Sequence, residues 1–168
     1  MKKQLMFGFL LVSVLMLATV AVAFNADTPY TVTMNWIIPS DTTFTVALAG
    51  SETTIDFNDN VVTKDSKEVE PDSQNASLST PIAVITNAGN QNLNFSANLT
   101  AAKPSFAVLM LSNASDVGAS TVFDTTEVTI ENSVIQAGTA DLYIWTNLTD
   151  ATSGTTVRTF QINSLSSA

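Results

Sequence analysis

Apolar and polar residues alternate along most of the chain after residue 23. The clearest case is Asn92–Thr100, where Leu93, Phe95, Ala97 and Leu99 fall on one side and Asn92, Asn94, Ser96, Asn98 and Thr100 on the other. Successive side chains of an extended strand point to opposite faces, so this pattern predicts a strand with one face buried and one in water. Phe44, Val46 and Leu48 alternate with polar or small neighbours in Thr43–Leu48, as Ile55 and Phe57 do in Thr54–Phe57. With Gly50-Ser51-Glu52 between them, these two runs are expected to pair as a hairpin. Pro81–Thr86 and Asn92–Thr100, joined by Asn87-Ala88-Gly89-Asn90, are expected to form a second. Further strands are predicted over Tyr30–Ile38, Phe106–Leu111, Glu127–Glu131, Asp141–Leu148 and Thr156–Asn163. Turn residues at Pro39-Ser40-Asp41, Lys103-Pro104, Gly118, Ala137-Gly138 and Ser153-Gly154 separate them.

No stretch after Ala23 holds apolar residues at helical spacing over three turns, so helix is not expected there. About eight or nine short strands with regular turn punctuation predict an all-β fold, a single antiparallel β-sandwich of immunoglobulin-like or jelly-roll-like outline. Residues 59–79 break the pattern. They include Lys64-Asp65-Ser66-Lys67-Glu68-Val69-Glu70-Pro71-Asp72 and little apolar matter, which predicts one long exposed loop. No heptad, fixed-period repeat or second domain is visible, so the sandwich domain is drawn at 37–168, after an extended segment at 24–36.

The first twenty-three residues read differently. Met1-Lys2-Lys3 is a short basic stretch, Leu5–Ala23 is almost wholly apolar, and Ala21-Val22-Ala23 is a small-x-small site of the kind signal peptidase reads. The expectation is a signal peptide at 1–23, which makes the mature chain a secreted or cell-surface protein with no membrane attachment. The apolar run exceeds the usual ~7–15 residues of such a core, so a retained N-terminal anchor stays open as an alternative. A pilin-type leader cut after the basic residues is weakened by the lack of a Gly or Ala junction behind Lys3.

Composition narrows the chemistry. The 168 residues are 45% hydrophobic, enough for a core without staples, and contain neither Cys nor His. Disulfides, thiolate nucleophiles, the commonest general base and the commonest transition-metal ligand are thereby excluded. Six basic side chains face fifteen acidic ones; without Lys2 and Lys3 only Lys64, Lys67, Lys103 and Arg158 remain, a balance of −11. So few cations cannot neutralise a phosphate backbone or an anionic bilayer, so neither nucleic acid nor membrane is an expected partner. Charge of this sign keeps a Thr-, Ser- and Asn-rich surface in solution.

Candidate sites are few. A serine nucleophile would need a lysine base, and no Ser-x-x-Lys spacing occurs. The carboxylates lie in turns and in the polar loop, with none inside an apolar run that would raise its pKa. No catalytic residue and no cofactor are expected. Asp56-Phe57-Asn58-Asp59-Asn60 starts like a calcium loop, but Val61 stands where such a loop needs Gly and Lys67 where it needs Glu. Any hard-cation site would fall on Asp56, Asn58 and Asp59. Sequons for N-glycosylation occur at Asn75, Asn94, Asn98, Asn113 and Asn147, about the number that a Ser/Thr-rich chain yields by chance. Tyr143 and Trp145 share one face of a strand with Asn147, which allows an exposed sugar-stacking platform; the competing reading buries them beneath a loop or the opposite sheet. Finally, Phe24–Trp36 begins polar and becomes alternating Tyr30, Val32, Met34 and Trp36 against Thr31, Thr33 and Asn35. It can be the domain's own first strand, or a strand added to a neighbour's open edge.

A Sec-type leader, an Asx-rich extended segment, a Cys-free Thr-rich sandwich and the unit Ile85-Thr86-Asn87-Ala88-Gly89-Asn90 together resemble secreted filament subunits: the TasA-type biofilm-fibre proteins and the archaeal bundling-pilus and thread subunits. The resemblance lies in general layout. It implies a structural subunit whose partner is its own next copy, joined by a donated N-terminal strand. On this chain the donor would be Phe24–Trp36, with Phe24, Tyr30, Val32, Met34 and Trp36 as contacts. The alternative is a monomeric adhesion or carbohydrate-binding module whose partners are surface or matrix glycans, using Tyr143 and Trp145.

Overall fold

A computed structural model describes Met34 and residues 37–57, 63–154 and 156–167. The chain divides into two units, Met1–Ile38 and Pro39–Ala168. The second unit is a β-sandwich. Its strands are β1 Phe44–Leu48, β2 Ala83–Asn87, β3 Leu93–Leu99, β4 Ala107–Ser112, β5 Thr121–Val122, β6 Val128–Val134, β7 Thr139–Leu148 and β8 Phe160–Ser166. One sheet has the order β1-β2-β7-β4-β5 and the other β6-β3-β8; every pairing between named strands is antiparallel.

The period-two pattern sets the core. In β3, Leu93, Phe95 and Ala97 are 0% exposed, while Asn94, Ser96 and Asn98 are half-buried on the outer face. Opposite them lie Ala83, Ile85 and Leu142, also fully buried. Phe44 tilts against Phe95 with ring centroids 5.5 Å apart, tying the two sheets together. Each large side chain moved from water into this layer contributes roughly 1.5–3 kcal/mol.

Neither expected hairpin forms. β1 pairs with β2, from Phe44↔Asn87 to Leu48↔Ala83, while Thr54–Phe57 is not a strand. Ile55 and Phe57 still reach the core as half-buried loop residues, so their alternation marked burial without a ladder. β2 and β3 are both strands but belong to different sheets. The turn between them crosses the sandwich because of Asn87. Its side chain is fully buried, donates to the carbonyls of Gln91 and Val134 at 2.8 Å each, and accepts from the Gly89 amide at 2.9 Å. Gly89 is required here, since a Cβ would stand 2.1 Å from the Asp41 carbonyl oxygen. Of the expected strand Tyr30–Ile38, only Met34, Ile37 and Ile38 are described, and none of these is in a strand.

The loop expected to be exposed at 59–79 also differs. From Thr63 onward it lies along β7 as a strap. β2 pairs only with the first part of β7, leaving Tyr143–Leu148 without a strand on that side. Val69 fills part of the gap, exchanging both backbone hydrogen bonds with Thr146 at 2.9 Å, and Ser66 accepts from the Leu148 amide. Gln74 fills another part with its side chain: its Oε1 accepts from the Ile144 amide at 2.9 Å and its Nε2 donates to the Ile144 carbonyl at 3.0 Å. One amide side chain thus imitates a strand residue. Pro71 and Gln74 are buried, and Glu68, Ser73 and Ser79 adopt left-handed backbone angles to hold the course. Polar composition suggested solvent; the unpaired edge of β7 instead demanded partners.

Thr146 lies under the strap at 4% exposure, and its hydroxyl is buried without a hydrogen-bond partner. Replacing it with the near-isosteric valine removes an unsatisfied group and keeps the shape. Thr146→Val should therefore stabilise the domain by about 1–2 kcal/mol, read as a higher urea midpoint at unchanged slope.

Candidate functional site

Two strands are edges of the sandwich on the same side. β1 pairs only with β2, and β8 only with β3, among the described residues. The Ser164 hydroxyl on β8 donates to the Thr42 carbonyl just before β1, at 3.0 Å, which brings the two edges together. Backbone direction alternates along an antiparallel strand. Ala88 donates to Thr43 and Ala49 to Ile82, so the peptide groups of Phe44, Val46 and Leu48 face away from β2, toward the open side. In β8, Thr100 donates to Thr159 and Ser167 to Asn92, so Phe160, Ile162 and Ser164 likewise turn their backbone outward.

The side chains of these same residues point inward. Phe44, Val46 and Leu48 stand opposite Asn87, Ile85 and Ala83, and Phe160, Ile162 and Ser164 opposite Leu99, Ala97 and Phe95. Yet they are only partly covered: Phe44, Leu48, Phe160 and Ile162 are half-buried and Val46 is 41% exposed, against near zero for their partners. The result is a seam of core-facing apolar side chains flanked by two backbones that are unpaired among the described residues. An extended segment laid there would meet hydrogen-bonding groups and apolar pockets at every second residue.

Of the expected donor residues, Phe24, Tyr30, Val32 and Trp36 lie outside the described residues, and Met34 is 72% exposed. The aromatic platform must be corrected. Tyr143 and Trp145 are each 2% exposed, their rings stacked 6.0 Å apart at 15°. Burial, then the nearby Asp141 carboxylate, pushes the Tyr143 hydroxyl above its ordinary pKa. Buried rings offer no stacking surface to a sugar. β7 is apolar on both faces, which is why alternation alone could not decide the matter.

The sequons separate by environment. Asn147 accepts from the Glu68 amide at 2.6 Å and helps to hold the strap. Asn75 caps the turn at 76–78, accepting from the Leu78 amide and the Ser77 hydroxyl. Asn94 accepts from the Ser133 amide. Asn98 accepts from Asn163 and donates to the Leu99 carbonyl. Asn113 is exposed, in a turn, and donates to the Glu131 carboxylate at 2.7 Å. Of the calcium candidates, Asn58 and Asp59 lie outside the described residues, and Asp56 accepts from the Thr54 hydroxyl at 2.8 Å. Glu127 reaches over β3 to the Ser96 hydroxyl and the Asn163 amide, and these hydrogen bonds hold its carboxyl below the usual range.

Sequence reasoning marked β1 and β8 as strands but missed their shared role. Edge position depends on which strand pairs with which, and no local signal carries that. Comparison of the chain with protein-family models, characterised proteins and solved structures returns no match.

Proposed function

We propose that this protein is a secreted structural subunit of an extracellular filament or surface layer, joined to further copies of itself by β-strand addition. The observation that carries the reading is the seam between β1 and β8, where backbone unpaired among the described residues and half-covered core-facing side chains coincide. A long exposed edge is normally blocked by charge, proline or a covering loop. β1 and β8 contain neither lysine, arginine, aspartate, glutamate nor proline. The added strand is Phe24–Trp36 of a neighbouring copy, with Tyr30, Val32, Met34 and Trp36 facing the seam.

The adhesion-module alternative loses its proposed platform through the burial of Tyr143 and Trp145. The test is electron microscopy of the secreted protein together with two variants. Wild type should form fibres, and deletion of residues 24–34 should abolish them while the sandwich stays folded. Val46→Lys puts a charge into the seam without touching the β1–β2 hydrogen bonds and should also abolish them. Wild-type protein that stays monomeric at every concentration overturns the reading, as do unchanged fibres from Val46→Lys.

A further inference from the structure

Asn-x-Ser/Thr sequons stand at Asn75, Asn94, Asn98, Asn113 and Asn147, and folding sets one of them apart. Asn94 and Asn98 lie within β3, Asn147 within β7, and Asn75 caps the turn at 76–78. All four are half-buried, with side-chain amides that hold neighbouring backbone in place. Asn113 alone is exposed, on the bend 113–115 that leaves β4. The Ser112 hydroxyl accepts from the Ala114 amide at 3.0 Å and shapes this bend.

The hydroxyl two residues further on follows the same division. An enzyme that glycosylates asparagine reads that hydroxyl together with the amide, so both must be reachable. The Ser77 hydroxyl donates to Asn75 Oδ1 at 2.7 Å, and that of Thr100 to the Thr159 carbonyl at 3.0 Å. Ser96 donates to the Glu127 carboxylate, and the Thr149 hydroxyl accepts from Lys67 Nζ at 3.4 Å. Ser115 is exposed, and its hydroxyl has no hydrogen-bond partner among the described residues. A primary amide carries two N–H bonds. At Asn113 one of them donates to Glu131 on β6 at 2.7 Å, and the other has no partner among the described residues.

We propose that Asn113 is the N-glycosylation site of this protein, with Ser115 as the hydroxyl that is read beside it and a polyprenyl-phosphate-linked oligosaccharide as the class of donor. In the transfer, Nδ2 of Asn113 bonds to the anomeric carbon of the sugar and gives up one proton. The bond from that carbon to the phosphate oxygen breaks, and the polyprenyl phosphate leaves with the electron pair. The proposal rests on the secreted reading but does not need strand addition. It is also compatible with an open seam. β1 and β8 form one flank of the sandwich, whereas β5 and β6 end the two sheets on the other, and the Asn113–Glu131 bond ties the β4–β5 connection to β6 there. A hydrated sugar on that flank shields the β6 edge and leaves the seam uncovered.

The test is intact-mass measurement and glycopeptide mapping of the protein secreted by its source cells, with three variants. Wild type should carry its glycan on the peptide that contains Asn113, with unmodified asparagine at the other four sequons. Asn113→Gln should remove the added mass completely. Ser115→Ala should remove it as well, although Asn113 and its bond to Glu131 stay in place, and Ser115→Thr should retain it. All three variants should keep the strand-type circular dichroism of wild type, which separates a lost site from a lost fold. Secreted protein with a bare Asn113, glycan spread over the other sequons, or added mass that survives Ser115→Ala overturns the assignment and leaves strand addition standing. Retention of the whole chain inside the cell overturns the secreted reading, and the site with it.

Discussion

Asn87→Leu should destabilise the sandwich by about 3–5 kcal/mol and lower its melting temperature by roughly 10 °C or more. Leucine has similar bulk, so the loss would not come from a cavity. It comes from three hydrogen bonds made by one buried amide, to the Gln91 carbonyl, the Val134 carbonyl and the Gly89 amide. Each partner left dry and unpaired costs about 1–3 kcal/mol. The Asn87 backbone adds two more links, to Gly138 and from Ala137, so the residue sits where the β2–β3 and β6–β7 turns meet. Asn87→Asp would separate acceptor from donor: it keeps the bond from Gly89 but sets a carboxylate against two carbonyls. It should be worse than leucine. Chemical denaturation of the three proteins, with ranking wild type, leucine, aspartate, checks this; a leucine variant within about 1 kcal/mol of wild type would mean that the amide's bonds are not what holds the turn.

Gln74→Leu should cost about 2–4 kcal/mol and, separately, release the strap. Both polar groups of the Ile144 peptide lose their partner, and Ile144 is 3% exposed. The strap carries Lys64 and Lys67, so its release is visible directly as faster tryptic cleavage at those two positions under native conditions. Gln74→Glu retains the acceptor but sets a buried carboxylate against the Ile144 carbonyl, so, like Asn87→Asp, it should be worse than leucine. Equal cleavage rates for wild type and leucine variant would mean that Val69 and Ser66 hold the strap alone.

The fold class was legible because side-chain alternation is a local property. Asn92–Thr100 predicted β3 within one residue at each end, and Phe106–Leu111 and Asp141–Leu148 found β4 and β7 with small errors. Pairing was not legible, because it depends on contacts far apart in sequence. Thr54–Phe57 alternates as a strand should, yet β1 already has β2 at its one paired edge, and Ile55 and Phe57 serve as loop plugs. The strap was misread for a related reason. Its charge and proline argue for solvent, and only the missing partner of β7 explains why Gln74 is buried. β5, two residues long, leaves too short a pattern to notice. Candidate sites divide in the same way: residue identity left Tyr143 and Trp145 between an exposed platform and a buried pair, and tertiary packing buries them.

β3 is the middle strand of the smaller sheet, and one of its two partners, β8, lies far downstream in sequence. Every residue from Leu93 to Leu99 therefore waits for Phe160–Ser166 before its second side is closed. Such long-range closure slows folding, because the entropy of closing the long intervening loop must be overcome before the pairing contributes. Until then the chain has an incomplete second sheet and an uncovered Phe95. The smaller sheet therefore cannot reach its final shape until Leu93–Leu99 and Phe160–Ser166, far apart in sequence, have met.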